Sequence, residues 1–91
     1  MARKRREPFD ENEQSRRAEL ANRVRVARLR RGIKSQEAAA EQADVGVSTY
    51  KDLETGQGNI STKHLWRVAD ALRVHVTDLL GDPEPEDDLL Q

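Results

Sequence analysis

Between Gly32 and Gly81 the chain is interrupted at short intervals by residues that stop or start helices, and these interruptions limit it to a bundle of short helices. They fall at Gly32, at Asp44-Val45-Gly46, along Thr55-Gly56-Gln57-Gly58-Asn59 and at Gly81. Glycine enters the left-handed region without a Cβ clash and so ends helices. Ser35 and Ser61 follow two of the breaks, where a hydroxyl can accept from a free amide of the first helical turn. The segments between predict helices over about 36–43, 47–54, 62–72 and 76–80. Upstream, Asp10 to Arg31 contains neither Gly nor Pro and is rich in Glu, Arg, Ala and Leu, which predicts a helix over about 16–31. The connections are short throughout, as in one bundle and not two domains.

Each predicted helix has an apolar side. In the first, Leu20, Val24 and Ala27 recur at helical spacing and mark a narrow buried stripe. Val26 and Leu29 lie on its opposite side, either as exposed singles or as part of an interface. Ala38-Ala39-Ala40 keeps the second helix slim enough for close approach by a neighbour. Tyr50 and Leu53 face inward from the third, and Leu65, Val68, Ala69 and Leu72 from the fourth, with Trp66 beside them. Leu79 and Leu80 are the apolar part of the short fifth helix.

Composition removes several function classes. A chain of 91 residues that is 35% apolar and 36% charged, with Phe9, Tyr50 and Trp66 as its aromatic residues, is too polar for a sandwich or barrel. At this length roughly 60–65% of the unfolded surface is buried, so the core is small. No cysteine is present, which excludes disulfides and thiolate metal sites. His64 and His75 are too far apart and too few for a metal site. No nucleophile–base pair, phosphate-binding glycine loop or carboxylate pair is visible, so neither catalysis nor a cofactor is expected. Met1–Arg6 is followed by Glu7-Pro8 and not by an apolar run, so no signal peptide or membrane span is read and the cytoplasm is the expected compartment.

Charge is unevenly placed. Residues 1–34 carry 12 Lys/Arg against 5 acids, a net +7, and residues 35–91 carry 4 against 12, a net −8, which together give the chain's −1. A basic half points to a polyanion partner, although a solvated arginine-rich helix with an acidic tail has the same balance. Residues 1–15 read as a basic arm, disordered or extending the first helix, 16–81 as the helical domain, and 82–91 as an acidic, disordered tail.

Two short helices, 36–43 and 47–54, joined by a three-residue turn have the dimensions of a helix-turn-helix unit, whose second helix enters the major groove of DNA. Ser35-Gln36-Glu37, Ala43, Val45, Tyr50, Leu53-Glu54 and Gly56 occur in order, followed by Asn59-Ile60-Ser61, Leu65, Val68-Ala69, Ala71-Leu72, Val74 and Thr77-Asp78-Leu79-Leu80. Over about residues 20–80 this series resembles the lambda-repressor-like helix-turn-helix family, the XRE or Cro/C1 type. The resemblance implies an all-α, five-helix bundle that binds double-stranded DNA. It places Gln36 on a phosphate, Val47, Ser48, Lys51 and Asp52 on base edges with Thr49 flanking, and Gln57 and Asn59 on the backbone. It places Leu20, Val24, Ala39, Tyr50, Leu53, Leu65 and Val68 in the core and makes Glu54 a structural acid.

The chain departs from the family pattern at four places. Asp44 replaces a turn glycine, Lys34 reads as a one-residue insertion, and Arg73 stands where a helix-ending glycine is usual. The recognition helix also lacks Arg, Gln and Asn, which make the bidentate contacts to guanine and adenine. Ser48 and Thr49 can still donate or accept, Val47 can touch a thymine methyl, and Asp52 can accept from cytosine while repelling phosphate. Arg3-Lys4-Arg5-Arg6 can lie along a groove or on phosphates in compensation, or serve only as a solubilising terminus.

The main expectation is therefore a transcriptional regulator, a repressor that binds a pseudo-palindromic operator as a homodimer through Trp66, Leu79 and Leu80, with Val26 and Leu29 as the other candidate contact. Two other readings remain. The chain can be an antitoxin or adaptor with a protein partner, favoured by its acidic recognition helix and tail. Alternatively it is an architectural or phage DNA-binding protein that holds mainly phosphates. The tail 82–88 is a solvated end or a competitor of DNA for the basic arm.

Overall fold

The structure, a computed structural model, describes residues 11–57 and 59–81. The arm residues Arg3, Lys4, Arg5 and Arg6 and the tail 82–91 lie outside the described residues. Five helices follow in order: α1 (Glu11–Arg30), α2 (Gln36–Ala43), α3 (Val47–Thr55), α4 (Thr62–Leu72) and α5 (Val76–Leu80). The predicted boundaries of α2, α4 and α5 match, α3 runs one residue longer, and α1 begins within the stretch read as arm or helix extension.

α1 buries Ala21, Val24 and Arg28, while Leu20 and Ala27 of the expected stripe are half-buried against the core. The buried line thus runs one position to the side of the apolar pattern. Its third member is an arginine, which pattern reading assigns to solvent. Gly32, at φ +85°, ends the helix, and the amide of Ile33 returns to the Arg28 carbonyl at 3.1 Å. Ile33 drops into the core at 6% exposure. The carbonyls of Ile33 and Lys34 each accept from Arg28 Nη1 at 3.1 Å, so Arg28 also ties down the connection containing the extra residue.

Ser35 caps α2 by accepting from the amide of Ala38 at 3.0 Å. Ala39, Ala40 and Ala43 are buried, and α2 packs against both α3 and α4. Methyl side chains allow this double contact because they keep the helix thin. Asp44 then takes the left-handed conformation, φ 60° and ψ 47°, and the amide of Val45 reaches back to the Ala40 carbonyl at 3.1 Å. This is the pairing of a left-handed helix stop made with an aspartate, a residue that tolerates positive φ better than most. Arg73 does the same after α4, at φ 61°, with the Val74 amide bonded to Ala69 O at 3.0 Å.

Tyr50 and Leu53 are buried under α3, and Leu65, Val68, Ala69 and Leu72 under α4, as the pattern predicts. Ser61 caps α4 through the His64 amide at 3.2 Å. His75 opens α5, its own amide donating to Asp78 Oδ2 at 3.1 Å. Leu79 is a correction. Expected in a dimer contact, it is 1% exposed because the single turn of α5 points it back toward α1 and into the core. Trp66 and Leu80 are 57% and 54% exposed, and Leu29 is 56% exposed.

Candidate nucleic-acid interface

α3 carries the expected reading residues on one side because its other side is anchored. Tyr50 and Leu53, three apart, point into the core, which turns Val47, Ser48, Lys51 and Asp52 outward. Those four are exposed and Thr49 is half-buried at the edge. Gly46 supplies no side-chain cap for α3, so its first amides are left for another acceptor.

A buried polar cluster sets how α3 sits on α1 and α2. The Glu54 carboxylate, its side chain 1% exposed, accepts from Arg28 Nε at 2.7 Å and Nη2 at 3.2 Å. It also accepts from the Tyr50 hydroxyl at 2.5 Å and from Gln36 Nε2 at 3.0 Å. One acid therefore joins residues from three helices, with four donors on its two oxygens. Burial alone raises the Glu54 carboxyl, but the hydrogen bonds from Arg28, Tyr50 and Gln36 outweigh it and hold the group below its ordinary range. The Glu54 hydrogen bond raises Arg28 further against the opposing effect of burial. Burial first, then Glu54, pushes the Tyr50 hydroxyl well above its usual range. The structural role implied for Glu54 is thus carried by its partners.

Gln36 stands at the first position of α2, where a helix offers unsatisfied amides and the positive end of its dipole. Its side chain is committed to Glu54 through one N–H. Only its other N–H and the helix terminus remain for the expected phosphate. Lys51 leans across to Glu37 of α2, Nζ to Oε2 3.0 Å. That hydrogen bond is the first reason the exposed Glu37 carboxyl sits below its usual range. Lys51 therefore meets an approaching polyanion already paired, a competition that spacing alone did not disclose.

Thr49 and Asp52 of α3 and the loop residues Gln57 and Asn59 line a single small cavity of about 80 Å³, floored by Leu20, Leu53 and Ile60. Arg17 of α1 closes its rim and donates to Asn59 Oδ1. The structure thus brings Thr49, Asp52, Gln57 and Asn59 together and sets Lys51 with Glu37 on the side toward α2. Arg17 is the residue that sequence reading missed at this surface. Its signal was its position three residues before Leu20, on the same edge of α1. His64 and His75 belong to different helix starts and come together in no cluster of metal-binding side chains among the described residues.

Comparison with known proteins agrees with the helix-turn-helix fold. A family model described as Helix-turn-helix matches residues 24–79, which takes in α2, the turn and α3. The cryptic phage CTXphi transcriptional repressor RstR of Vibrio cholerae is 33% identical over 58 residues, 63% of this chain and 52% of that protein. The chain therefore spans about half the length of that curated relative. The crystal structure of a hypothetical transcription factor, NHTF, from Neisseria superposes with a TM-score of 0.69 at 32% identity, covering 86% of each chain. The chain belongs to the helix-turn-helix family of the Cro/C1 type.

Proposed function

We propose that this protein is a DNA-binding transcriptional regulator, a repressor that reads a pseudo-palindromic operator as a homodimer. The observation that carries this reading is the exposed face Val47, Ser48, Lys51 and Asp52 on a helix locked from behind by Tyr50, Leu53 and Glu54. A helix held this way can lie in the major groove with its early residues on base edges. Gln36 at the start of α2, Gln57 and Asn59 in the loop, and the arm residues Arg3, Lys4, Arg5 and Arg6 are the proposed backbone contacts. The repressor role follows the relative named as a phage transcriptional repressor. Trp66 and Leu80 are the proposed dimer contacts, supported by their exposure as large apolar side chains; the exposed Leu29, with Val26, is the other candidate.

The test is selection of bound duplexes from a random library at about 150 mM salt. An enriched inverted repeat supports base reading by a dimer. Binding without enrichment that disappears as salt rises points instead to phosphate-led architectural binding. One observation favours a protein partner as the second reading: Lys51 is paired with Glu37, which leaves Asp52 as the unpaired charge on α3 among the described residues. No binding to any duplex, with co-purification of a basic partner, would establish that reading in place of the first.

A further inference from the structure

The side of α1 that carries Val26 and Arg30 forms a groove of about 480 Å³ with α4 and α5. Its polar rim is made of Arg23, Arg30, Arg31 and Arg73, above an apolar floor that includes Val26 and Ala27. Asp78 is the one carboxylate among its lining residues. The side chains of Arg30, Arg31 and Arg73 have no ion-pair partner among the described residues, and Arg23 has only a long contact to Glu19 at 3.8 Å. The groove shares no residue with α3 or with the loop after it. Four guanidinium groups thus converge on a face that neither the proposed DNA contacts nor the proposed Trp66 and Leu80 dimer contact uses.

We propose that this groove is the docking site of the chain's own segment 82–91. Three observations favour that occupant over any other. The segment begins at the groove's edge, since the Arg23 guanidinium occupies the space where a side chain at Gly81 would stand. Its charge is complementary: Asp82, Glu84, Glu86, Asp87 and Asp88 bring five carboxylates and no basic residue to four arginines. Its length suffices, because ten residues reach up to about 33 Å when extended, while Arg23 to Arg31 along a helix spans only about 12 Å. Leu89 and Leu90 add apolar side chains suited to the groove floor. The tether makes the encounter intramolecular, with an effective concentration on the order of millimolar, so weak individual ion pairs are enough to hold it. Docked, the segment cancels positive charge on the face away from α3 and keeps that face from competing for phosphates.

The chain has no cysteine, so Q91C in the full chain takes a single nitroxide label. Paramagnetic loss of amide signal is then read at low salt. The expected result is a loss over residues 22–31 and 72–74 at least twofold greater than over α2 and α3. It should vanish near 1 M salt, where the screening length falls to about 3 Å. It should also vanish when the five carboxylates of the segment are replaced by their amides in the same labelled chain. Loss centred on residues 1–6, or spread evenly, would overturn the proposal in favour of the basic arm or of no site. Loss at the groove that fades on dilution would assign it to the segment of a second copy. Loss that survives amide replacement would overturn the ionic basis of the docking.

Discussion

Among single residues, Glu54 satisfies a buried arginine, a buried tyrosine and the first residue of α2 at once. Replacing it by glutamine leaves the Arg28 guanidinium without its counter-charge at a site 7% exposed. Removing one member of a buried pair typically costs about 3–5 kcal/mol. We predict that E54Q lowers unfolding stability by about 3 kcal/mol in urea titration at pH 7; a change under about 1 kcal/mol would show that the pair does not hold the helices together. The pH dependence has a definite sign. The Glu54 carboxyl lies below its usual range in the folded chain, so its stabilisation is present above an unfolded value of about 4.3 and is lost as pH falls through the folded value. Tyr50 is shifted upward, so its contribution is complete below about pH 10 and is lost as pH rises beyond it. Wild-type protein should therefore lose stability at both extremes, and E54Q should show a flatter acid limb between about pH 5 and pH 3 by the same titration. On the surface, Asp52 is exposed beside the expected phosphate and base contacts. D52N is predicted to change which duplexes a library selection enriches, whereas Q36A should weaken all duplexes alike. If both variants keep the wild-type preference and lose affinity equally, the division into base and backbone contacts is wrong.

At the scale of the element, the helix stops made without glycine are the clearest departures. Asp44 and Arg73 both sit near φ 60°, where a Cβ crowds the following carbonyl at a cost of roughly 1–2 kcal/mol per residue, less for Asp. R73G is predicted to raise stability by about 1 kcal/mol, visible as a higher urea midpoint with an unchanged slope. D44G should gain less, since it also gives up the exposed contact of Asp44 with Arg67 at 3.9 Å and the local tolerance of aspartate. α2 behaves in the opposite sense. Ala39 and Ala40 have no exposed surface, so A40L should overpack the contact with α3 and α4 and cost about 1–3 kcal/mol by the same measurement. These elements were largely readable from local chemistry. Gly32, Ser35, Ser61 and Gly81 punctuate the chain at its observed helix ends, because caps and left-handed residues act through neighbours only a few positions away. The burial of Leu79 was not readable, because one turn of helix has no periodicity from which to tell its inner side.

At the scale of the whole molecule, burial leaves few large apolar side chains for association among the described residues. Leu79 is taken by the core, and Trp66, Leu80 and Leu29 remain exposed. If Trp66 and Leu80 form the dimer contact, W66A with L80A should leave urea stability within about 0.5 kcal/mol of wild type at monomer concentrations. The pair should shift the sedimentation profile to monomer and lower operator affinity at least tenfold. An unchanged dimer in that variant would move the contact to Val26 and Leu29.

The amino-acid pattern made the helices, their ends and most of the inward-facing positions legible, because these rest on local spacing and capping, and it pointed to the family through the ordered motif residues over about 20–80. It also placed Val47, Ser48, Lys51 and Asp52 on the outward side of α3, since Tyr50 and Leu53 define the inward side at helical period. The partners of the charges emerge from how the helices pack and not from spacing along the chain. Arg28 meets Glu54 across 26 positions of chain, Lys51 meets Glu37 across a turn, and Arg17 meets Asn59 across 42. Apolar burial follows a period along one helix, whereas an ion pair depends on where two helices cross, and that crossing is set by packing.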